Sequence, residues 1–202
     1  MKVFFAFFSL IAAQKKDWFS KCVKPTNFDL DLSRYAGSWY EQHRYPVSFE
    51  PEAATCVRAQ YTLQDNGVRV NNSMINEDPK SGQKVLSWAL GRATVPNEDK
   101  NNKLIVVFDQ IPAIGQWFIN KLGPNYWVMD TDYDNYAIVM SCSNYGLFTS
   151  TYFWLLARDA NFRSTSKYDE IMENVTTNFK VKNAALITID ANACDFDSIA
   201  EF

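Results

Sequence analysis

The 202-residue sequence predicts an all-β chain, an eight-stranded antiparallel up-and-down β-barrel with a C-terminal α-helix packed on the outside. Three observations predict it. Eight short strand-like runs lie between Gly37 and Arg158, separated by turn clusters at the spacing of a meander. Their connections are mostly short enough to join antiparallel neighbours, and eight such strands close without exposed edges. One amphipathic helical stripe follows the last run. A two-sheet sandwich is the other all-β solution, and the hairpin-by-hairpin order disfavours it.

The elements follow in order. Met1-Lys2, an apolar stretch over 3–13 and the polar residues after it have the layout of a short secretory signal, too short to span a bilayer as a helix. We therefore expect residues 1–13 to be a signal peptide and 14–202 a single domain, secreted and extracellular. The first run covers 39–45. In 57–63, Val57, Ala59, Tyr61 and Leu63 alternate with polar residues, the period of a half-buried strand. Asn66-Gly67 is a hairpin turn, because both residues tolerate positive φ. Runs over 68–75, 85–94, 104–108, 126–130, 136–142 and 152–157 complete the set.

Beyond them Tyr168, Ile171, Met172, Val175 and Phe179 fall on one helical face. The 152–157 run is apolar at nearly every position, so both its faces are expected to be covered, the outer one by this helix. Two connections are long, Pro46 to Thr55 and the apolar segment from Ile111 to Ile119. Alternation places both at one end of the barrel, with Asn66-Gly67 and the turn at 132–135 at the other. The result is a cup with a tight floor and greasy loops at its rim.

Composition excludes several classes. Apolar residues make up 47% and aromatics 15%, enough for a core. A net charge of −3 gives no reason to bind nucleic acid. There is one histidine, and Cys22, Cys56, Cys142 and Cys194 form no C-x-x-C pair, so zinc clusters lack their ligands and no metal is expected. Four widely spaced cysteines in an exported chain point to two structural disulfides. Asn71 and Asn174 stand in N-x-S/T triplets and are glycosylation candidates. G-x-S-x-G, P-loop, H-E-x-x-H and dinucleotide motifs are absent, so no enzyme and no catalytic cofactor are expected.

The motifs add a resemblance. Phe28-Asp29-Leu30 followed by Arg34-Tyr35-Ala36-Gly37-Ser38-Trp39-Tyr40 resembles the G-x-W opening of the lipocalin barrel. Thr131, Asp132 and Tyr133, with Asn135-Tyr136, resemble the family's T-D-Y turn, and Leu155-Leu156-Ala157-Arg158 its terminal arginine. Within the family the likeness is greatest to apolipoprotein D, the insect bilin carriers such as insecticyanin, and the crustacyanin subunits. The resemblance implies disulfides Cys22–Cys142 and Cys56–Cys194. It also implies Gly37 at the strand entry, Trp39 plugging the floor and Arg158 lying over the indole.

Strand parity and the family register then give the cavity lining. With Trp39 inward, Glu41 and His43 follow toward the mouth. Ala59, Tyr61, Val70, Asn72, Met74, Leu104, Val106, Phe108, Tyr126, Val128, Val139, Tyr152 and Trp154 face the same interior. His43 is either a polar handle for a ligand oxygen or a rim histidine bonded locally. An inward Glu41 must be paired, protonated or near the mouth. Tyr126, Tyr152 and Trp154 either stack on a conjugated ligand or simply pack.

The expected function is transport or storage of a small hydrophobic molecule. A biliverdin-type bilin or a carotenoid stands ahead of a fatty acid or other lipid, a retinoid or a steroid, and that preference comes from the resemblance. Two other readings stay open. A thiol-dependent enzyme would need a free Cys56. The Ile111 to Ile119 segment is either a lid or a contact surface for a membrane or a second copy of the chain.

Overall fold

The computed structural model describes residues 15–19, 21–78, 80–192 and 194. The expected signal segment 1–13 lies outside them. A strand β1 (Lys15–Trp18) and a one-turn helix α1 (Leu32–Tyr35) precede the barrel. Its strands are β2 (Gly37–Arg44), β3 (Thr55–Gln64), β4 (Gly67–Glu77), β5 (Lys84–Thr94) and β6 (Lys103–Phe108). After a helix α2 (Ala113–Leu122) come β7 (Tyr126–Thr131), β8 (Tyr136–Asn144) and β9 (Phe148–Ala157). A helix α3 (Ser166–Thr177) and a two-residue strand β10 (Ile187–Thr188) follow.

Strands β2 to β9 pair antiparallel in sequence order, and β9 pairs back onto β2, so the wall closes. All eight expected runs coincide with these strands to within a few residues. Two pieces of wall were not expected. β1 pairs with β9 at the mouth, Lys15 opposite Thr151 and Trp18 opposite Phe148. β10 pairs with the end of β2, and the backbone N–H of Cys56 donates to Asp190 at 2.8 Å. The chain from 187 to 190 thus fills the wall between the diverging ends of β2 and β3.

The floor is a packed layer. Trp39 is fully buried, its indole N–H donating to the Tyr35 carbonyl at 2.8 Å, and Leu30, Leu104, Val128, Ala137 and Val139 surround it. Arg158 lies over the indole, 3.7 Å from the ring centroid to its guanidinium carbon. Its N–H groups donate to the carbonyls of Tyr133 (2.9 Å), Ser38 (2.9 Å), Arg34 (2.7 Å) and Ala36 (2.8 Å). Gly37 has φ +96°, and a Cβ there would stand 3.1 Å from Arg158 Nη1, so a glycine is needed for both reasons.

The T-D-Y turn is closed by its own side chains. Thr131 Oγ1 donates to the Tyr136 carbonyl at 2.6 Å, and Asp132 accepts the backbone N–H groups of Asn135 and Tyr136. Partial burial pushes the Asp132 carboxyl up. Lys167 at 2.6 Å and those N–H groups outweigh it and hold the pKa at about 2. Tyr133 takes φ +70° and hands its carbonyl to Arg158.

Helix α3 lies on the outer face of β8 and β9. Ile171 and Val175 are buried against Ile138, Phe153, Leu155 and Ala157, which accounts for the unbroken apolarity of the last strand. The stripe reads one residue too far, since Phe179 follows the helix and packs from the loop. The disulfides are Cys22–Cys142 and Cys56–Cys194, as the family pattern implies. The second leaves Cys56 no thiol for catalysis.

The segment from Ile111 to Ile119 is not a loop. Pro112 stands at the N-cap of α2, and Ile114, Trp117, Phe118 and Leu122 recur at helical spacing. Its apolarity suggested a lid, while its period, read over ten residues, is that of a helix.

Candidate functional site: the barrel interior

Opposed residues in the ladders show which side chains share the interior. Tyr61 opposes Val70, Ala59 opposes Asn72, and Leu104 opposes Tyr126. Val128 opposes Val139, and Val139 opposes Trp154. Tyr152 precedes Trp154 on the same face, and their rings stack with centroids 5.7 Å apart. Val106 and Phe108 pack on this inner cluster, and Met74 sits nearer the mouth beside Ala54, Val57 and Ile189. Of the fifteen residues expected to line the cavity, only His43 departs from this common interior.

His43 points the other way. Between Glu41 and His43 the β2–β9 register shifts, because Glu41 opposes Leu156 while His43 opposes Leu155. Gln42 is the extra residue of a β-bulge, and a bulge exchanges the two faces for everything beyond it. His43 therefore faces α3 and β10, its ring nitrogens 2.8 Å from Tyr168 Oη and 3.1 Å from Thr188 Oγ1. Burial, and then the positive charge of Arg163, lower its pKa to about 4, so the ring is neutral at neutral pH.

Arg44 takes the interior position instead. It is fully buried, and Nη1 donates to Glu41 Oε1 at 2.9 Å. Nη2 donates to the Pro51 carbonyl at 2.6 Å and the Glu50 carbonyl at 3.3 Å. Nε lies 3.3 Å from Glu50 Oε2, within ion-pair range but too poorly aligned for a hydrogen bond. The 46–54 connection thus folds inward, and Trp154 donates a hydrogen bond to the Glu50 carboxyl. Burial raises the pKa of Glu41 well above the usual carboxylate range, and the neighbouring charge of Glu50 adds to it. Arg44 offsets only part of this.

A second polar group lies deeper. Tyr126 Oη is 2.8 Å from Tyr35 Oη and 3.0 Å from Tyr61 Oη, a chain of three hydroxyls. Burial drives all three pKa values up, that of Tyr61 to about 12, so the hydroxyls stay protonated.

The inner face of β5 was missed by the sequence reading. Ser87, Ala89, Gly91 and Ala93 oppose Met74, Asn72, Val70 and Val68, so this face carries only small side chains. Alternation of small with large residues along 85–94 was the available signal. Ile187 and Ile189, also missed, face inward from the inserted segment, Ile187 opposite Arg44. Nothing in their sequence neighbourhood identifies them as barrel wall.

Accessibility falls from mouth to floor. Trp39, Val128 and Val139 are fully buried, whereas Asn72, Met74, Ala89, Val106, Phe108, Tyr126, Tyr152 and Trp154 are only half-buried although they lie inside a closed wall. Phe49 of the 46–54 connection reaches over the opening, its ring 6.1 Å from that of Tyr152. On the opposite rim α2 exposes Ile114, Trp117, Phe118 and Leu122, the last at 86%. Of the two sequon asparagines, Asn71 lies on the outer face of β4, between the inward Val70 and Asn72. Asn174 sits within α3, its amide donating to Asp130 at 3.2 Å.

A family model described as a lipocalin-like domain matches residues 30–187. Apolipoprotein D of Cavia porcellus is 35% identical over 182 residues, 88% of this chain and 87% of the relative. Insecticyanin-A of Manduca sexta is 31% identical over 159 residues, 78% of this chain and 77% of the relative. The solved structure of insecticyanin from the same moth superposes with a TM-score of 0.63 at 22% identity, over 88% of this chain and 89% of that one. That of H1 crustacyanin from the lobster Homarus americanus gives 0.66 at 20% identity, over 90% and 94%. At such identities the solved structures establish the fold.

Proposed function

The chain belongs to the lipocalin family, and on that premise we propose that it binds and carries a small hydrophobic molecule inside the barrel, outside the cell. The observation that carries this reading is the accessibility of the interior: Met74, Val106, Phe108, Tyr152 and Trp154 stay partly accessible inside a closed wall, while Trp39, Val128 and Val139 are fully buried. A wall of apolar groups with a few placed polar ones is the usual lining for such a ligand. A bilin or carotenoid pigment stands first, a fatty acid, retinoid or steroid second, and the order rests on likeness to insecticyanin and crustacyanin. Both disulfides support an oxidising, extracellular setting.

Native mass spectrometry of the protein from its source, without extraction, names the bound molecule. An absorption spectrum tests the pigment directly. A visible band, or a shifted one on adding biliverdin or a carotenoid, is expected, and its absence in both cases removes pigment binding.

The exposed face of α2 favours a second role at the rim, contact with a lipid surface from which an apolar ligand is collected. Ile114, Trp117, Phe118 and Leu122 are each at least half exposed and lie together beside the mouth. Light scattering with and without phosphatidylcholine vesicles separates this from self-association. Growth in particle size only with vesicles supports the lipid contact, and a dimer without them assigns the face to a second copy.

A further inference from the structure

Two carboxyls share one positive charge near the mouth of the interior. Arg44 is fully buried, and four of its five N–H groups face groups of this chain: Glu41, Glu50 and the carbonyls of residues 50 and 51. With both carboxyls ionised the cluster would hold net negative charge in a low-dielectric interior, and such a cluster takes up a proton instead. Glu41 is the group placed to hold it. Arg44 Nη1 is its one hydrogen-bond partner among the described residues, on Oε1, whereas Glu50 is faced by both Arg44 Nε and the Trp154 indole. Glu41 Oε2 then carries an O–H with no partner among the described residues.

Deeper in the barrel, the hydroxyls of Tyr35, Tyr126 and Tyr61 make two hydrogen bonds with three protons. One O–H remains to be donated. Apart from the fifth N–H of Arg44, whose charge is already outnumbered by the two carboxyls, the unspent donors at both levels belong to uncharged groups.

We propose that this interior selects a ligand whose buried polar end is an uncharged hydrogen-bond acceptor, a ketone, aldehyde or hydroxyl oxygen, and disfavours the free carboxylate of the same skeleton. Glu41 and Glu50 are the residues that set the preference. A ligand carboxylate would add a further negative charge around Arg44, away from bulk water, while a neutral oxygen accepts the Glu41 or tyrosine proton without charge. The proposal rests on the carrier reading above.

The test uses matched pairs differing only at the polar end: all-trans-retinal with all-trans-retinoic acid, and hexadecanol with hexadecanoate. Each is titrated into delipidated full-length protein at pH 7.5, with binding read from tryptophan emission. The neutral member of each pair is expected to bind at least tenfold tighter. Equal affinity, or tighter binding of the carboxylate, in any pair that binds overturns the proposal. Failure of all four to bind overturns the fatty-acid and retinoid forms of the carrier reading, which is a different result. In a folded Glu41→Gln/Glu50→Gln double variant, Arg44 is uncompensated and the preference should turn toward the carboxylate. A wild-type preference there refutes the assignment to these carboxyls, and the wild-type pairs decide the matter if the variant does not fold.

Discussion

Replacing Arg158 by alanine tests how the floor of the barrel is held. The guanidinium does two jobs: it stacks on Trp39 at 3.7 Å and it ties four backbone carbonyls from α1, the start of β2 and the β7–β8 turn. A desolvated cation–π pair is worth up to about 2 kcal/mol. A hydrogen bond from a charged donor is worth roughly 1.5–3 kcal/mol, but these bonds are not additive. The group is partly open to water, so the carbonyls recover some hydration when the side chain is removed. We therefore expect a loss of about 3–4 kcal/mol in total, which for a domain of this size lowers Tm by roughly 6–16 °C. Differential scanning calorimetry of the oxidised protein measures it. Arg158→Lys keeps the charge over the ring but loses the planar fork, so it should fall about midway. A Tm within 3 °C of wild type for Arg158→Ala would show that the floor does not depend on this residue.

Three further predictions concern the wall. His43 is the chain's single histidine, with its pKa lowered from 6.5 to about 4, so its contribution is complete above pH 6.5 and is lost as pH falls from there toward 4. Between pH 7.5 and 5 the full shift corresponds to about 2 kcal/mol, and roughly 1 once partial screening is allowed for. Urea midpoints at the two pH values should show that loss in wild type and not in His43→Gln. Glu41, with its raised pKa, works in the opposite sense but is common to both proteins; equal changes in the two refute the placement of His43. Removing the 138-residue link with Cys56→Ser/Cys194→Ser should cost up to about 5 kcal/mol on a chain-entropy basis. It should also speed hydrogen exchange at the Cys56 and Ile189 amides, which bond to Asp190 and Gln42 across the inserted segment. Ala89→Trp, on the small-residue face of β5, should abolish ligand binding while leaving the Tm within a few degrees, and undiminished binding would place the ligand elsewhere.

The eight strands and the outer helix were legible because each is written in local periodicity: alternation for β3 and β4, a 3.6-residue stripe for α3, and turn residues between them. The floor was legible through the resemblance to the lipocalin motifs, which implied the places of Gly37, Trp39 and Arg158, and the structure puts them there. β1 and β10 were not legible, since strands of four and two residues carry no periodic signal. They form only because the barrel offers edges where β9 overruns β2 at the mouth and β2 parts from β3. α2 was misread for a related reason. Its apolar face is turned outward beside the mouth, and its composition without its period gave a loop, either a lid or a contact surface, where the chain forms a helix.

The single residue Gln42 had the largest effect on the candidate site. Parity along β2 runs correctly from Trp39 to Glu41, then changes face, so that the ionisable group expected inside, His43, lies outside and Arg44 lies within. The exchange changes the chemistry of the interior. A histidine at that position would have given a neutral, adaptable handle, whereas an arginine is charged at any physiological pH and has to be neutralised where it stands. Burying it calls for Glu41 from its own strand and draws Glu50 in from the 46–54 connection, which brings Phe49 over the opening. The shape of the mouth and the charge of the interior thus follow from one residue taking a bulge rather than a place in the ladder. Replacing Arg44 by methionine, which fills the interior position without charge, should release the connection. That variant should show increased proteolysis within 46–54, and a connection as protected as in wild type would mean that Glu50 is held there by something other than Arg44.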